Sequence, residues 1–201
     1  MAITAEMVRE LRQATGAGVL DCRRALEECG GDMERAIALL RQRGLAAAQK
    51  KEGRAANEGV IGSYVHTGSR VAALVELNCE TDFVARTNEF QELAHELAMQ
   101  VVALHPRWVR AEDIPADVVE QLKAEYRAAA LAEGKPESVV ERIVAGKLEK
   151  FLDEVCLLRQ PYIRDDSITV GELIKQKVAQ FGENIVVRRF VRLEVGEGDS
   201  R

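Results

Sequence analysis

No apolar run in this sequence approaches the roughly 20 residues that a membrane-crossing helix needs. No signal peptide is expected, because Met1-Ala2-Ile3-Thr4 runs directly into an amphipathic pattern. The phosphate-cradling G-x-x-x-x-G-K-[ST] loop is missing. Gly16-Ala17-Gly18 begins as a dinucleotide fingerprint does, but Asp21 stands where the third glycine belongs and no strand precedes it. It reads as a turn between helices. No serine sits in a G-x-S-x-G elbow. His66, His95 and His105 form no H-x-x-x-H pattern, so no zinc site is expected. Cys22, Cys29, Cys79 and Cys156 show no C-x-x-C spacing, and three of the four lie among apolar neighbours. They are expected to be small buried hydrophobes with reduced thiols, as in a cytoplasmic protein. Asp165-Asp166 is an adjacent pair in a loop, better read as turn and capping residues than as an acid/base couple. No enzyme active site and no cofactor are therefore expected.

A basic surplus is also lacking. The formal net charge is −5, which argues against a general nucleic-acid binder. The charge is uneven: residues 1–57 carry ten Lys/Arg against eight Asp/Glu, and residues 58–201 carry eighteen against twenty-five. A mildly basic head on an acidic body suggests two modules.

The first 44 residues read as three short helices. Ile3, Met7, Val8, Leu11 and Ala14 recur at helical spacing, with Thr4 placed to cap. After the break at Thr15-Gly16-Ala17-Gly18, a second stripe comprises Val19, Cys22, Ala25, Leu26 and Cys29 and stops at Gly30-Gly31. Asp32 caps a third helix, with Met33, Ala36, Ile37 and Leu40 inward, that is expected to end at Gly44. The module (1–45) resembles the ubiquitin-associated three-helix fold. Residues 46–57 read as a linker, helical at most in their first half. From residue 58 to 201 a core and dimerisation domain is expected. It opens with a β-hairpin, Val60–Val65 and Val71–Leu77, around His66-Thr67-Gly68-Ser69. A long helix follows from the stripe Phe90, Leu93, Ala94, Leu97, Val101 and Leu104, ended by His105-Pro106. Pro115 and Pro136 each open a helix, joined at Gly134-Lys135-Pro136 into an antiparallel helical hairpin. A last helix from Val170 to Phe181 leads into a strand from Ile185 to Val195. The predicted fold class is α+β: a three-stranded antiparallel sheet with helices on one face. An uncovered sheet face predicts self-association or a large protein interface.

Glu76-Leu77-Asn78-Cys79-Glu80-Thr81-Asp82-Phe83-Val84-Ala85-Arg86 resembles the core signature of translation elongation factor Ts along its whole length. Leu11 to Leu26 resembles the N-terminal signature, with Arg23 in place of the usual Lys and Val19-Leu20 in place of a frequent Met pair. Gln160-Pro161-Tyr162-Ile163, Thr169-Val170 and Glu194-Val195-Gly196-Glu197-Gly198 are also similar. Thr87, where the family commonly has Asn, can still cap the next helix. The resemblance implies a guanine-nucleotide exchange factor for elongation factor Tu, in a short form that pairs as a homodimer. Direct contact with nucleic acid or membrane is not implied. It also implies that Asp82 and Phe83 meet the partner near its magnesium site, that Thr81 and Val84 beside them bind the partner, and that Arg12, Val19, Leu20 and Arg23 dock on a partner helix. The residues alone leave alternatives open. By residue type alone Phe83 reads as core, since Phe is usually buried; Asp82 can be a helix cap; Val19 can pack inward. Two rival readings are a peptide-binding three-helix module, which leaves 58–201 unexplained, and a small α+β enzyme, which lacks a catalytic constellation.

Overall fold

Helix α1 (Ala5–Thr15) starts where the Thr4 hydroxyl accepts from the Met7 N–H at 3.2 Å, and stops at Gly16 with φ of 68°. Helix α2 (Val19–Glu28) ends in a Schellman motif: Gly30 N–H donates to Glu27 O and Gly31 N–H to Leu26 O. Gly30 takes φ of 65°, which a residue without Cβ adopts freely. Asp32 then caps α3 (Met33–Gln49), its carboxylate accepting from Arg35 N–H at 3.1 Å. Leu11, Cys22, Ala25, Leu26, Ala36 and Leu40 form the buried cluster of the three helices. This architecture comes from a computed structural model that describes residues 2–198.

Two expectations for this region change. Helix α3 does not stop at Gly44 but runs on to Gln49. A Cβ at Gly44 would lie 3.1 Å from the Ala179 side chain, so the glycine serves a close approach to helix α8 (Val170–Phe181) and does not act as a stop. Ala14, on the apolar stripe of α1, is exposed, and of the two alternatives left open for Val19 the exposed one is found. Val19 lies one turn before Cys22 on the same stripe, and the stripe runs beyond the packed cluster there.

The chain divides into two compact units. One comprises Met1–Val60, Leu77–Gln91 and Glu172–Val186; the other comprises Ile61–Glu76, Glu92–Gly171 and Val187–Arg201. Strands β1 (Glu58–Val65) and β2 (Val71–Cys79) form the predicted hairpin, with His66 N–H donating to Val71 O at 2.9 Å. Two further short strands, β3 (Pro161–Tyr162) and β4 (Asp165–Thr169), pair antiparallel as a separate small ribbon. The last strand is β5 (Val186–Glu194), and the main sheet has the order β1-β2-β5. It is antiparallel, as expected, and the fold class is α+β. Along β2, Ala73, Val75, Leu77 and Cys79 are buried while Leu74 between them is exposed, the period-two pattern of a half-buried strand.

In the second unit, Gly62 of β1 meets helix α5 (Asn88–Leu104) where no side chain fits: an added Cβ would lie 2.2 Å from Ala94 O. Helices α6 (Ala116–Ala132) and α7 (Glu137–Val155) form the antiparallel hairpin, closed by a cluster of Ala130, Val140 and Val144 with Tyr126 and Ile143. Ribbon β3–β4 was not expected, and Asp165-Asp166 belongs to it and not to an irregular loop. Its strands are too short to show alternation, and it is held by buried amides instead. Gln100 Oε1 accepts from Ile163 N–H at 2.9 Å, and Gln100 Nε2 donates to Pro161 O at 3.1 Å. Gln160 donates onward to Leu104 O and Glu154 O. Every such bond satisfies a polar group that would otherwise be costly to bury.

Candidate interaction site

The segment Glu76–Arg86 is the end of β2, a two-residue bend, and a single-turn helix, α4 (Asp82–Ala85). For α4, four residues are too few to hold a helix by themselves, because nucleation fixes several dihedrals for one hydrogen bond. Its conformation is imposed from outside. The cap is Thr81, whose hydroxyl accepts from Val84 N–H at 3.5 Å, so the capping role left open for Asp82 belongs to its neighbour. The Thr81 hydroxyl also donates to Glu183 Oε1 at 2.6 Å. Glu183 Oε2 accepts from the backbone N–H groups of Glu80 at 3.1 Å and Thr81 at 3.0 Å.

The bracket is reciprocal. Glu80 Oε1 accepts from Asn184 N–H at 2.7 Å and lies 3.7 Å from Arg54 Nη1, while Asn184 Nδ2 donates to Arg54 O at 2.7 Å. Behind α4, Ala85 is buried, and Thr87 caps α5 as expected by accepting from Phe90 N–H at 3.3 Å. Phe90 packs edge-on to Phe181 at a ring separation of 5.9 Å.

Phe83 projects from this fixed turn with 82 % of its surface exposed, so the core reading of this residue does not hold for the isolated chain. Asp82, at the first helical position, ion-pairs with Arg86 at 2.9 Å. The pair is exposed and spaced i,i+4, contributing about 0.3–0.5 kcal/mol, little enough to be surrendered to a competing ligand. Val84 is half-buried. The second group of predicted residues lies at the start of α2 and the end of α1. Leu20 is 69 % and Val19 52 % exposed, Arg12 is exposed, and Arg23 pairs with Glu27 at 2.9 Å. Both groups belong to one compact unit, and residues at and just beyond the C-terminal end of α8 touch the elements that carry them. Gln180 lies against Gly16, and Glu183 holds Thr81. Sequence reasoning missed Glu183, Glu80, Asn184 and Arg54. Glu80 lies within the signature, but nothing local marks its role or those of the others, because Glu183 and Asn184 reach residues more than a hundred positions away.

Cys79 closes the strand beneath the bend, fully buried, with its thiol donating to Thr81 O at 3.1 Å. Burial, reinforced by the Glu183 charge, pushes the thiol up to about 11. A raised acid pKa means that the folded state holds the proton more tightly than the unfolded chain. The associated stability is therefore complete below about pH 9 and is lost as pH rises through 9 to 11. The loss amounts to roughly 2–3 kcal/mol. Urea unfolding at pH 8 and pH 10.5 checks this: the wild type should lose more stability over that interval than Cys79→Ala does. Equal losses would contradict the assignment.

All four cysteines are free, and among the described residues no group of His, Cys, Asp or Glu is arranged to hold a metal ion. Among the described residues no helix is long and apolar enough to cross a membrane.

A sequence model of the family described as Elongation factor TS matches residues 45–197. A protein named Elongation factor Ts from Carboxydothermus hydrogenoformans is 59 % identical over 196 residues, covering 98 % of this chain and 90 % of that protein. Proteins of the same name from Desulforamulus reducens and Moorella thermoacetica are each 56 % identical over 196 residues. They are covered over 90 % and 97 % of their length, again by 98 % of this chain.

Proposed function

The chain belongs to the elongation factor Ts family, and from that premise we propose that it is a guanine-nucleotide exchange factor for translation elongation factor Tu. The observation that carries this reading is Phe83, an aromatic side chain held 82 % exposed on a turn clamped at its base. Burying it in a pocket on the partner contributes roughly 1.5–3 kcal/mol, enough to make it an anchor of the interface. Thr81 and Val84 flank it, and Asp82 offers a carboxylate to the groups that hold the partner's magnesium ion and phosphates. Arg12, Val19, Leu20 and Arg23 form a second contact on the partner's nucleotide domain.

The mechanism follows from linkage. A protein that binds the nucleotide-free partner more tightly than the GDP form weakens GDP binding by the same factor. GDP leaves the ternary intermediate, abundant GTP enters, and its binding expels the factor. No covalent bond is made or broken, so the chain acts without cofactor or metal of its own and is not an enzyme in the chemical sense. This reading places it in the cytoplasm, with no nucleic acid or membrane bound directly. Self-association is part of the same reading, supported by the exposed Ile61, Val65, Leu74, Val191 and Leu193 on the strands of the main sheet.

The test mixes the chain with elongation factor Tu loaded with fluorescent GDP and follows release in excess GTP. Acceleration at micromolar concentration is expected. Release at the spontaneous rate would overturn the proposal, and sedimentation of the same preparation as a monomer would overturn the homodimer.

A further inference from the structure

The turn that carries Phe83 cannot hold itself, and the group that holds it comes from far along the chain. Glu183 takes three donors around one bend: the N–H groups of Glu80 and Thr81 on Oε2 and the Thr81 hydroxyl on Oε1. That hydroxyl is also the cap of α4. Its proton is directed to Glu183, which leaves a lone pair aimed at Val84 N–H and so couples the carboxylate to the helix cap. The return bond from Asn184 N–H to Glu80 fixes the opposite wall of the bracket. Hydrogen bonds to a charged acceptor are stronger than neutral ones, and three on one carboxylate leave the bend little freedom. Glu183 touches neither Asp82 nor Phe83 through any of these bonds.

We propose that Glu183 is a positioning residue for nucleotide exchange: its carboxylate fixes the bend at Glu80-Thr81 and thereby the direction in which Phe83 projects. The inference rests on the exchange-factor reading of the Phe83 turn. Loss of the carboxylate leaves Phe83 chemically intact but lets α4 fray and the ring wander. Preorganisation is what is lost. The maximal rate of GDP release at saturating factor should then fall roughly ten- to a hundredfold, the range that a small misplacement of a contacting group produces.

The experiment is a double-mutant cycle on the full chain, with Glu183→Ala, Glu183→Gln, Phe83→Ala and Glu183→Ala/Phe83→Ala. GDP release from elongation factor Tu is titrated to saturation, and circular dichroism confirms the helical content of each variant. If Glu183 acts through Phe83, the double variant is no slower than Phe83→Ala alone. Glu183→Gln, which keeps one acceptor oxygen in place, then recovers part of the rate lost in Glu183→Ala. A double variant whose losses multiply overturns the positioning role. So does Glu183→Ala at the wild-type rate. Should Glu183→Ala fail to fold, the comparison of Glu183→Gln with and without Phe83→Ala decides on the same criterion. A wild-type rate for Phe83→Ala itself strikes the underlying exchange reading, whereas slow Phe83→Ala beside normal Glu183→Ala strikes only this inference.

Discussion

Phe83→Ala is expected to lower GDP release from elongation factor Tu by roughly 10- to 150-fold, the rate equivalent of losing one buried aromatic contact. Its unfolding midpoint in urea should remain that of the wild type, since a side chain 82 % exposed contributes little to the fold. The paired measurement separates the two readings of the residue. A core phenylalanine cut to alanine costs about 3–5 kcal/mol of stability, and a contact residue costs rate alone. Phe90, seven positions on and fully buried, supplies the contrast within the same region. Phe90→Ala should unfold at markedly lower urea. Unchanged exchange in Phe83→Ala would show that the turn is not the point of intervention, whatever its exposure.

Gly62→Ala is expected to be strongly damaging for a single added methyl, lowering stability by about 3 kcal/mol. The new Cβ would stand 2.2 Å from Ala94 O and 2.3 Å from Ala94 C. Both are backbone atoms of α5 and cannot rotate aside, so helix and strand would have to separate along a buried face. Gly146→Ala is the natural control. It lies inside α7 with nothing within 4 Å of the added carbon. There the same change should raise stability by about 0.5–1 kcal/mol, because alanine forfeits less backbone freedom on entering a helix. Urea unfolding of the two variants beside wild type checks both. A stable Gly62→Ala would mean that the close contact of β1 with α5 is not kept in solution.

The helices declared themselves locally. Thr4 and Asp32 cap as their side-chain chemistry requires, Gly30-Gly31 closes α2, and His105-Pro106 stops α5. The β1–β2 hairpin was equally plain, since β-branched runs around a Gly-containing turn have few other uses. Ribbon β3–β4 was not, because strands of two and five residues carry no periodicity and depend on the amides of Gln100 and Gln160. Gly44 shows a different failure. A glycine at a helix end and a glycine at a crossing look alike in one dimension, and only the position of Ala179 tells them apart.

For the candidate site the division is sharper. The residue string from Glu76 to Arg86 singled out the segment through its resemblance to the family signature, and the strand-to-helix change of period placed Phe83 at a junction. Whether that side chain turned inward or outward was beyond it, because burial is a property of what packs nearby. Tertiary structure decided it. Glu183 and Asn184, joined to Glu80 and Thr81 across about a hundred residues, hold a helix too short to stand alone and leave Phe83 facing out. Hydrogen bonds between distant segments leave no periodic trace in a sequence, so the residue that presents the contact could be read only from the fold.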